Sequence, residues 1–416
     1  MGYKNTTVFF VLRTGKFRFM ILSVFVFSVM FMWSSLTYDA PITKVSSAAS
    51  YLYQFSSRNE GGGLEDEGSG FGGSSSCDIF DGEWVLDDAE PMYKPGSCPF
   101  IGDSFNCFKN GRPDVGYFNY KWKPHGCEIP RFNGTRMLEI LRGKRLVFVG
   151  DSLNRNMWES LVCGLRDSLR DKRNVYEVSG RKEFRREGFY SFRFVEYGCS
   201  VDFVRSPFLV YDDVKWENGK AQIQTVKLDT IHGSSVKYVD ADIIVFNTGH
   251  WWTHRKNCKR IGCFQEGGIR LEMIEIGEAY RKALKTWSRW VDSNVNRTRT
   301  RVFFRGYSPS HFRKGQWNSG GRCRGETEPS VNQTELAPYP RMMSILESVI
   351  SEMKTPVFYL NVTKMTDYRK DGHPSIYRPQ YKFSKGIEDC SHWCLPGVPD
   401  AWNNLLYAVL SAYSNA

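Results

Sequence analysis

No charged residue interrupts the stretch from Phe19 to Tyr38, no acidic residue precedes it, and no cysteine occurs before Cys77. Each absence excludes something. An uncharged run dense in Phe, Val, Met, Ile and Leu does not belong on a solvated surface, and residues 19–38 have about the length that spans a bilayer. With no acid to offset them, Lys4, Arg13, Lys16 and Arg18 bias the tail, residues 1–18, to the cytosolic side. The run is long for a cleaved signal peptide, and Ser47-Ala48-Ala49 makes a poor cleavage site, so a signal anchor is expected. The bulk of the chain is then lumenal or extracellular. All eleven cysteines fall on that side, where disulfides form, as do sequons at Asn133, Asn296, Asn332 and Asn361. The odd cysteine count leaves at least one thiol unpaired. Connectivity is not readable from spacing, although some of Cys77, Cys98, Cys107 and Cys127 are expected to be tied to late cysteines.

Apolar residues then run short. Residues 39–76 carry Gly61-Gly62-Gly63, Glu65-Asp66-Glu67, Gly72-Gly73 and Ser74-Ser75-Ser76, which cannot bury enough surface to fold. They are expected to form a flexible stem. Residues 77–130 are turn-rich, with Pro95-Gly96, Asn110-Gly111 and Pro124, and have too little periodic apolar sequence for a core of their own. A disulfide-stapled cap on the main domain, residues 131–416, is the expectation. The formal charge of +11 falls to +7 without the tail and suits an acidic polymer. Nucleic acid would suit it too, but a lumenal, glycosylated domain makes that partner a poor one.

Within the main domain the organising stretch is Lys144–Ser152. Leu146 to Val149 read as a buried strand, Gly150 as a tight turn, and Leu153, Met157, Leu161 and Leu165 as one face of an amphipathic helix. Such a turn lifts the Ser152 hydroxyl out of the sheet and aims free backbone N–H groups at its target. Two readings stay open here: a serine nucleophile, or plain helix capping by Asp151 or Ser152. Arg185 to Val210 reads as antiparallel or edge strands. Asp242–Phe246 is a second buried strand, followed by a long helix with Met273, Ile276, Tyr280, Leu284, Trp287 and Val291 on its core face. Further strands at Arg301–Tyr307 and Pro356–Leu360 flank a helix near Met342–Met353. Strands alternating with helices predict a three-layer α/β/α domain on a parallel sheet. Its active site would lie at the carboxyl ends of the strands, where Ser152 and Asn247 both fall.

Histidine is scarce: seven positions must supply any imidazole base. His392, in Asp389-Cys390-Ser391-His392, is best placed, because an Asp three residues earlier on a turn can hold Nδ1–H and leave Nε2 free. The bland alternative is a surface loop capping the last helix. Gly102-Asp103-Ser104 repeats the tripeptide of the opening stretch without a preceding strand, so Ser104 is read as a chance match. His250, His254, Cys258 and Cys263 have a zinc-like spacing. In an oxidising lumen a Cys258–Cys263 disulfide or free thiols are preferred, and no metal is expected. Asp371-Gly372-His373-Pro374 is a turn that could face the cleft. Trp251, Trp252, Trp317, Trp393 and Trp402 could stack on sugar rings or simply pack.

Gly150-Asp151-Ser152 early and Asp389-x-x-His392 late resemble the GDSL/SGNH esterase superfamily. Longer stretches, Val149–Ser160, Asn247–Trp252 and Asp389–Gly397, are similar to the plant trichome birefringence-like proteins, from about Cys77 to the C-terminus. The resemblance implies an SGNH-hydrolase-like fold in a single-pass type II Golgi membrane protein. Its lumenal domain would transfer acetyl groups to hydroxyls of cell-wall polysaccharide, xylan or pectin. It would need an acetyl donor but no bound cofactor. By motif match Ser152 is the nucleophile, His392 the base and Asp389 its partner. The Ser152 N–H, Asn247 and Gly249 would meet the oxyanion. An esterase with the same triad and a non-catalytic polysaccharide-binding protein are the alternatives. The paired Cys258 and Cys263 depart from the family's usual pattern.

Overall fold

The computed structural model describes residues 77–181, 188–217, 220–252, 263–379 and 387–415. The expected tail, anchor and stem, residues 1–76, and His254 and Cys258 lie outside the described residues. Among the described residues no helix is long and apolar enough to cross a membrane.

Thirteen strands are described: β1 (Gly82–Leu86), β2 (Tyr120–Pro124), β3 (Arg145–Gly150), β4 (Val175–Glu177), β5 (Phe189–Phe194), β6 (Cys199–Arg205), β7 (Val210–Glu217), β8 (Lys220–Ile231), β9 (Ile243–Phe246), β10 (Cys263–Glu266), β11 (Ile269–Leu271), β12 (Arg301–Arg305) and β13 (Val357–Leu360). Among them run α1 (Gly134–Ile140), α2 (Ser152–Asp167), α3 (Ile276–Asn294), α4 (Arg341–Ser351), α5 (Thr363–Asp367) and α6 (Val398–Asn415). The central sheet has the order β13-β12-β9-β3-β6-β5-β4. Its first five strands are parallel, and β5 and β4 add an antiparallel edge, so the sheet is mixed rather than wholly parallel.

The β3 strand shows why the site forms where it does. Every residue from Leu146 to Gly150 is buried, as a central strand covered on both faces requires. Leu146 and Phe148 pack with α1, α2 and α6, whereas Val147 and Val149 pack with α3 and α4. From β3 the chain reaches β6 on one side and later β9, β12 and β13 on the other. The strand order therefore reverses at β3, and the carboxyl end of the strands at such a reversal is the usual position of a ligand site in these sheets.

Three expectations are corrected. The α2 helix has the expected apolar face, but its polar face is not solvated: Leu153 through Leu165 are all buried, because the segment 77–130 covers its outer face. The Cys98–Cys163 disulfide, the Gly102 N–H on Glu159 (2.7 Å) and a cluster of Tyr93, Ile101, Phe105 and Leu395 hold that cover down. Met273 lies outside α3 and is exposed; the helix begins after Glu275, whose carboxylate accepts the Glu278 N–H (3.1 Å). A second sheet, ordered β11-β10-β8-β7, lies in sequence that gave no strand signal.

Four disulfides are described: Cys77–Cys127, Cys98–Cys163, Cys107–Cys394 and Cys323–Cys390. Cys107–Cys394 makes the expected tie between an early and a late cysteine. Cys263 is also disulfide-bonded, and Cys199 is a buried free thiol, pushed up to about 12 by burial. Asn133, Asn296 and Asn332 are exposed, but Asn361 is half-buried with its Oδ1 enclosed.

Candidate active site

Asp151, not Ser152, takes the capping role that the sequence left open between them. Asp151, extended at φ −91° and ψ −168°, is the N-cap of α2 and accepts the Leu153 N–H at 2.9 Å. Ser152 is thereby free of capping. Its Oγ stands 2.8 Å from His392 Nε2. On the far side of the ring, His392 Nδ1 lies 3.0 and 2.9 Å from the two Asp389 carboxylate oxygens. The Ser391 and His392 backbone N–H groups also donate to Asp389 Oδ1, at 3.2 and 3.1 Å, so the carboxylate closes its own turn. Burial alone would raise the Asp389 carboxyl, but its interaction with His392 and the hydrogen bonds from that residue outweigh it and hold it well below the usual carboxylate range. An acceptor-only carboxylate on Nδ1 fixes the proton there and leaves the Nε2 lone pair facing the hydroxyl.

Asn247 is beside the Ser152 turn, but its carboxamide is engaged there. Its Oδ1 accepts the Asp151 N–H (3.0 Å) and its Nδ2 donates to Asp151 Oδ1 (2.8 Å). The Nδ2 group carries a second proton. This clasp also explains Gly150: a Cβ there would stand 1.9 Å from Asn247 Oδ1. Gly249 is buried against the Tyr307 ring. His250 stacks on that ring and donates from Nε2 to the Ser308 carbonyl at 2.7 Å. Burial lowers His250 to about 4, with Arg305 and His392 adding to the shift, so it is neutral at physiological pH. Asp151 Oδ2, 3.9 Å from His250 Nδ1, has no hydrogen-bond partner among the described residues. His250 and the disulfide-bonded Cys263 are thus committed elsewhere than to the zinc-like spacing.

The His392 loop is held by residues that the sequence did not mark. Asn156, one helical turn beyond Ser152, accepts the Trp393 N–H (2.8 Å) and donates to the Trp393 carbonyl (3.1 Å). Trp393 Nε1 donates to Ser308 Oγ (2.8 Å). The cap contributes Phe105, whose ring lies 5.3 Å from that of His392 and whose carbonyl accepts the Leu395 N–H at 2.9 Å. His373 is brought beneath the loop, with Nδ1 2.7 Å from the His392 carbonyl. A buried Asn at i+4 from the serine was the available signal for the clamp; nothing in the spacing pointed to Ser308. Of the candidate sugar-stacking tryptophans, Trp252, Trp393 and Trp402 are core residues, Trp251 is half-buried and Trp317 is exposed. Ser104 sits in a turn without a preceding strand, as expected of a chance match.

A hydroxyl raised at a strand–helix turn on a parallel α/β sheet, with an Asp-x-x-His loop returning to it, defines the GDSL/SGNH-like class of acyl-transferring and ester-cleaving enzymes. The family model for PC-esterase, the GDSL/SGNH-like acyl-esterase family found in Pmr5 and Cas1p, matches residues 129–409. That for the PMR5 N-terminal domain matches residues 75–128. The chain belongs to the PC-esterase family, among its trichome birefringence-like members. It is 60% identical over 345 residues to trichome birefringence-like protein 4 of Arabidopsis thaliana, covering 81% of this chain and 75% of that one. Trichome birefringence-like protein 1 and the trichome birefringence protein of the same plant are 57% and 56% identical, each over 80% of this chain. The matches span 61% and 56% of those two proteins, less than two thirds of their length.

Proposed function

We propose that the protein is an O-acetyltransferase that carries an acetyl group on Ser152 and delivers it to a hydroxyl of cell-wall polysaccharide, xylan or pectin. The observation that carries this reading is the continuous hydrogen-bonded line from Ser152 Oγ through His392 to Asp389. Ser152 Oγ attacks the acetyl carbonyl while its proton passes to His392 Nε2. The developing oxyanion is met by the Ser152 N–H at the head of α2, with the second Nδ2 proton of Asn247 and the Gly249 N–H as further donors. The tetrahedral adduct collapses, the leaving group takes the proton from His392, and acetyl-Ser152 remains. A sugar hydroxyl then enters, His392 takes its proton, and its oxygen attacks the acetyl carbon. Ser152 leaves and regains the proton, so no net proton is produced.

The topology proposed for the full chain is a type II Golgi membrane protein, held through residues 19–38 and a stem over residues 39–76, with its active domain in the lumen. The charges flanking the uncharged run and the confinement of all eleven cysteines to one side of it support it. The second reading is a polysaccharide acetylesterase, in which water takes the place of the sugar; the Ser152–His392 geometry serves either acceptor equally. Incubation with an acetyl donor and de-acetylated xylan or pectin oligosaccharides, with acetylated polymer alone in parallel, separates the two. Transfer predicts acetylated oligosaccharide, hydrolysis predicts free acetate from the polymer alone, and neither product would refute both.

A further inference from the structure

We propose that His311 and His373 are a positioning pair that shares one positive charge and fixes the backbone of His392. The inference rests on reading His392 as the base, and it follows from counting protons. His373 Nδ1 lies 2.7 Å from the His392 carbonyl, which only accepts, so Nδ1 carries a proton. His311 Nε2 lies 2.9 Å from the Asp367 carbonyl, so it too carries a proton. Between the rings, His311 Nδ1 and His373 Nε2 are 2.7 Å apart, a bond that needs one proton more. Three protons on two imidazoles make one cation.

The surroundings place that charge. His373 is 2% exposed, stacked 4.0 Å from the Trp393 ring, and its carbonyl is taken by Arg112 Nη1 at 2.9 Å. Burial, with the neighbouring His311 and Arg112, holds His373 well below the ordinary histidine value. His311 has the Asp367 carboxylate 3.4 Å from Nε2. The other charged groups nearby are already paired: Arg112 with Asp114, Arg369 with Asp371, each at 2.8 Å, and Asp389 with His392. The proton therefore resides on His311, and His373 is the neutral link. A neutral imidazole that accepts from a cation donates more strongly on its other side. The His392–Trp393 peptide is thus gripped twice, by His373 at the His392 carbonyl and by Asn156 at the Trp393 amide and carbonyl. Loss of the shared proton would leave two lone pairs facing each other across 2.7 Å.

Three measurements on the full-length chain test the pair. Nitrogen NMR of 15N-histidine-labelled protein should find both His311 nitrogens protonated at neutral pH, and only Nδ1 on His373. Two neutral rings would overturn the proposal. His373→Phe keeps the stack on Trp393 and removes the donor. It should lower kcat on an aryl acetate by about ten- to a hundredfold with KM little changed, the scale of a small misplacement of a reacting group. His311→Gln supplies an uncharged N–H to His373. It should retain most of kcat, whereas His311→Leu, which supplies no donor, should lose about as much as His373→Phe. Wild-type kcat in His373→Phe or in His311→Leu would overturn the positioning role. If the unaltered protein neither turns over nor reacts at Ser152 with a fluorophosphonate while NMR finds the cation, the enzymatic reading fails and the charged pair stands.

Discussion

Replacement of Asn156 by Leu should separate the placement of His392 from the chemistry it performs. Asn156 is fully buried and, although far from Trp393 in sequence, bonds to both polar groups of its backbone, at 2.8 and 3.1 Å. Leu has the same branching and is somewhat larger, so no cavity forms, but the Trp393 N–H and C=O are left unpaired in the core. Each unsatisfied group costs about 1–3 kcal/mol, and the pair about 2–6 kcal/mol of stability. The neighbouring residue, His392, keeps Asp389 and loses one wall of its seat. A displacement of the order of 1 Å lowers turnover about 100-fold. Asn156→Asp should be intermediate, because an ionised carboxylate still accepts the Trp393 N–H but cannot donate to its carbonyl. The assay is hydrolysis of an aryl acetate, with kcat and KM read below the melting temperature of each variant and unfolding followed in parallel. A destabilised Asn156→Leu protein with unaltered kcat would refute the claim that this clamp places the base. A variant of wild-type stability would refute the clamp itself.

Ser152→Ala should lower turnover by about 10⁶, as expected when nucleophile and base act as a unit, while polysaccharide binding persists; retained activity would favour the non-catalytic reading. Glu159, fully buried beside Arg155, is raised from 4.5 to about 7, chiefly by burial. Between those values the folded chain keeps a proton that the unfolded chain has lost, so Glu159 lowers stability as pH rises through that window. Glu159→Gln, which can still accept the Gly102 N–H, should remove that slope and add up to about 3 kcal/mol above pH 7; melting curves across that range decide it. Loss of the Cys107–Cys394 bridge, whose cysteines are 287 positions apart, should cost about 5–6 kcal/mol in the chain-entropy account. Because Cys394 lies two residues past His392, turnover should fall with it. Gly150→Ala should fail to fold or lose activity, since its Cβ would overlap the Asn247 carboxamide.

The sequence disclosed those parts of the molecule whose determinants are local. Leu146–Val149 had to be a buried strand, and an Asp three residues before a His on a turn can close onto its Nδ1 whatever surrounds it. The rest depends on partners distant in sequence. Helix α2 looked amphipathic because its Asn154, Asn156 and Glu159 are polar; the cap that buries them is far upstream and announces itself only by cysteines and turns. The β7–β8 hairpin is rich in charged and polar residues, so no apolar period marked it. Trp393 and Trp402 could as well have been platforms for sugar until the fold put both in the core. His373 was noticed as part of a turn, but its partners His392 and His311 lie 19 and 62 positions away in sequence. Neither has a spacing that a sequence could advertise.

The central claim, that Ser152 carries the acetyl group, is tested most directly by mass spectrometry of the Ser152 peptide after brief exposure to an aryl acetate with no acceptor present. The account predicts an acetyl increment on Ser152 that is absent from His392→Ala and that disappears, with transfer to sugar, when de-acetylated oligosaccharide is added. An unmodified Ser152 in a protein that nonetheless acetylates the oligosaccharide would contradict it.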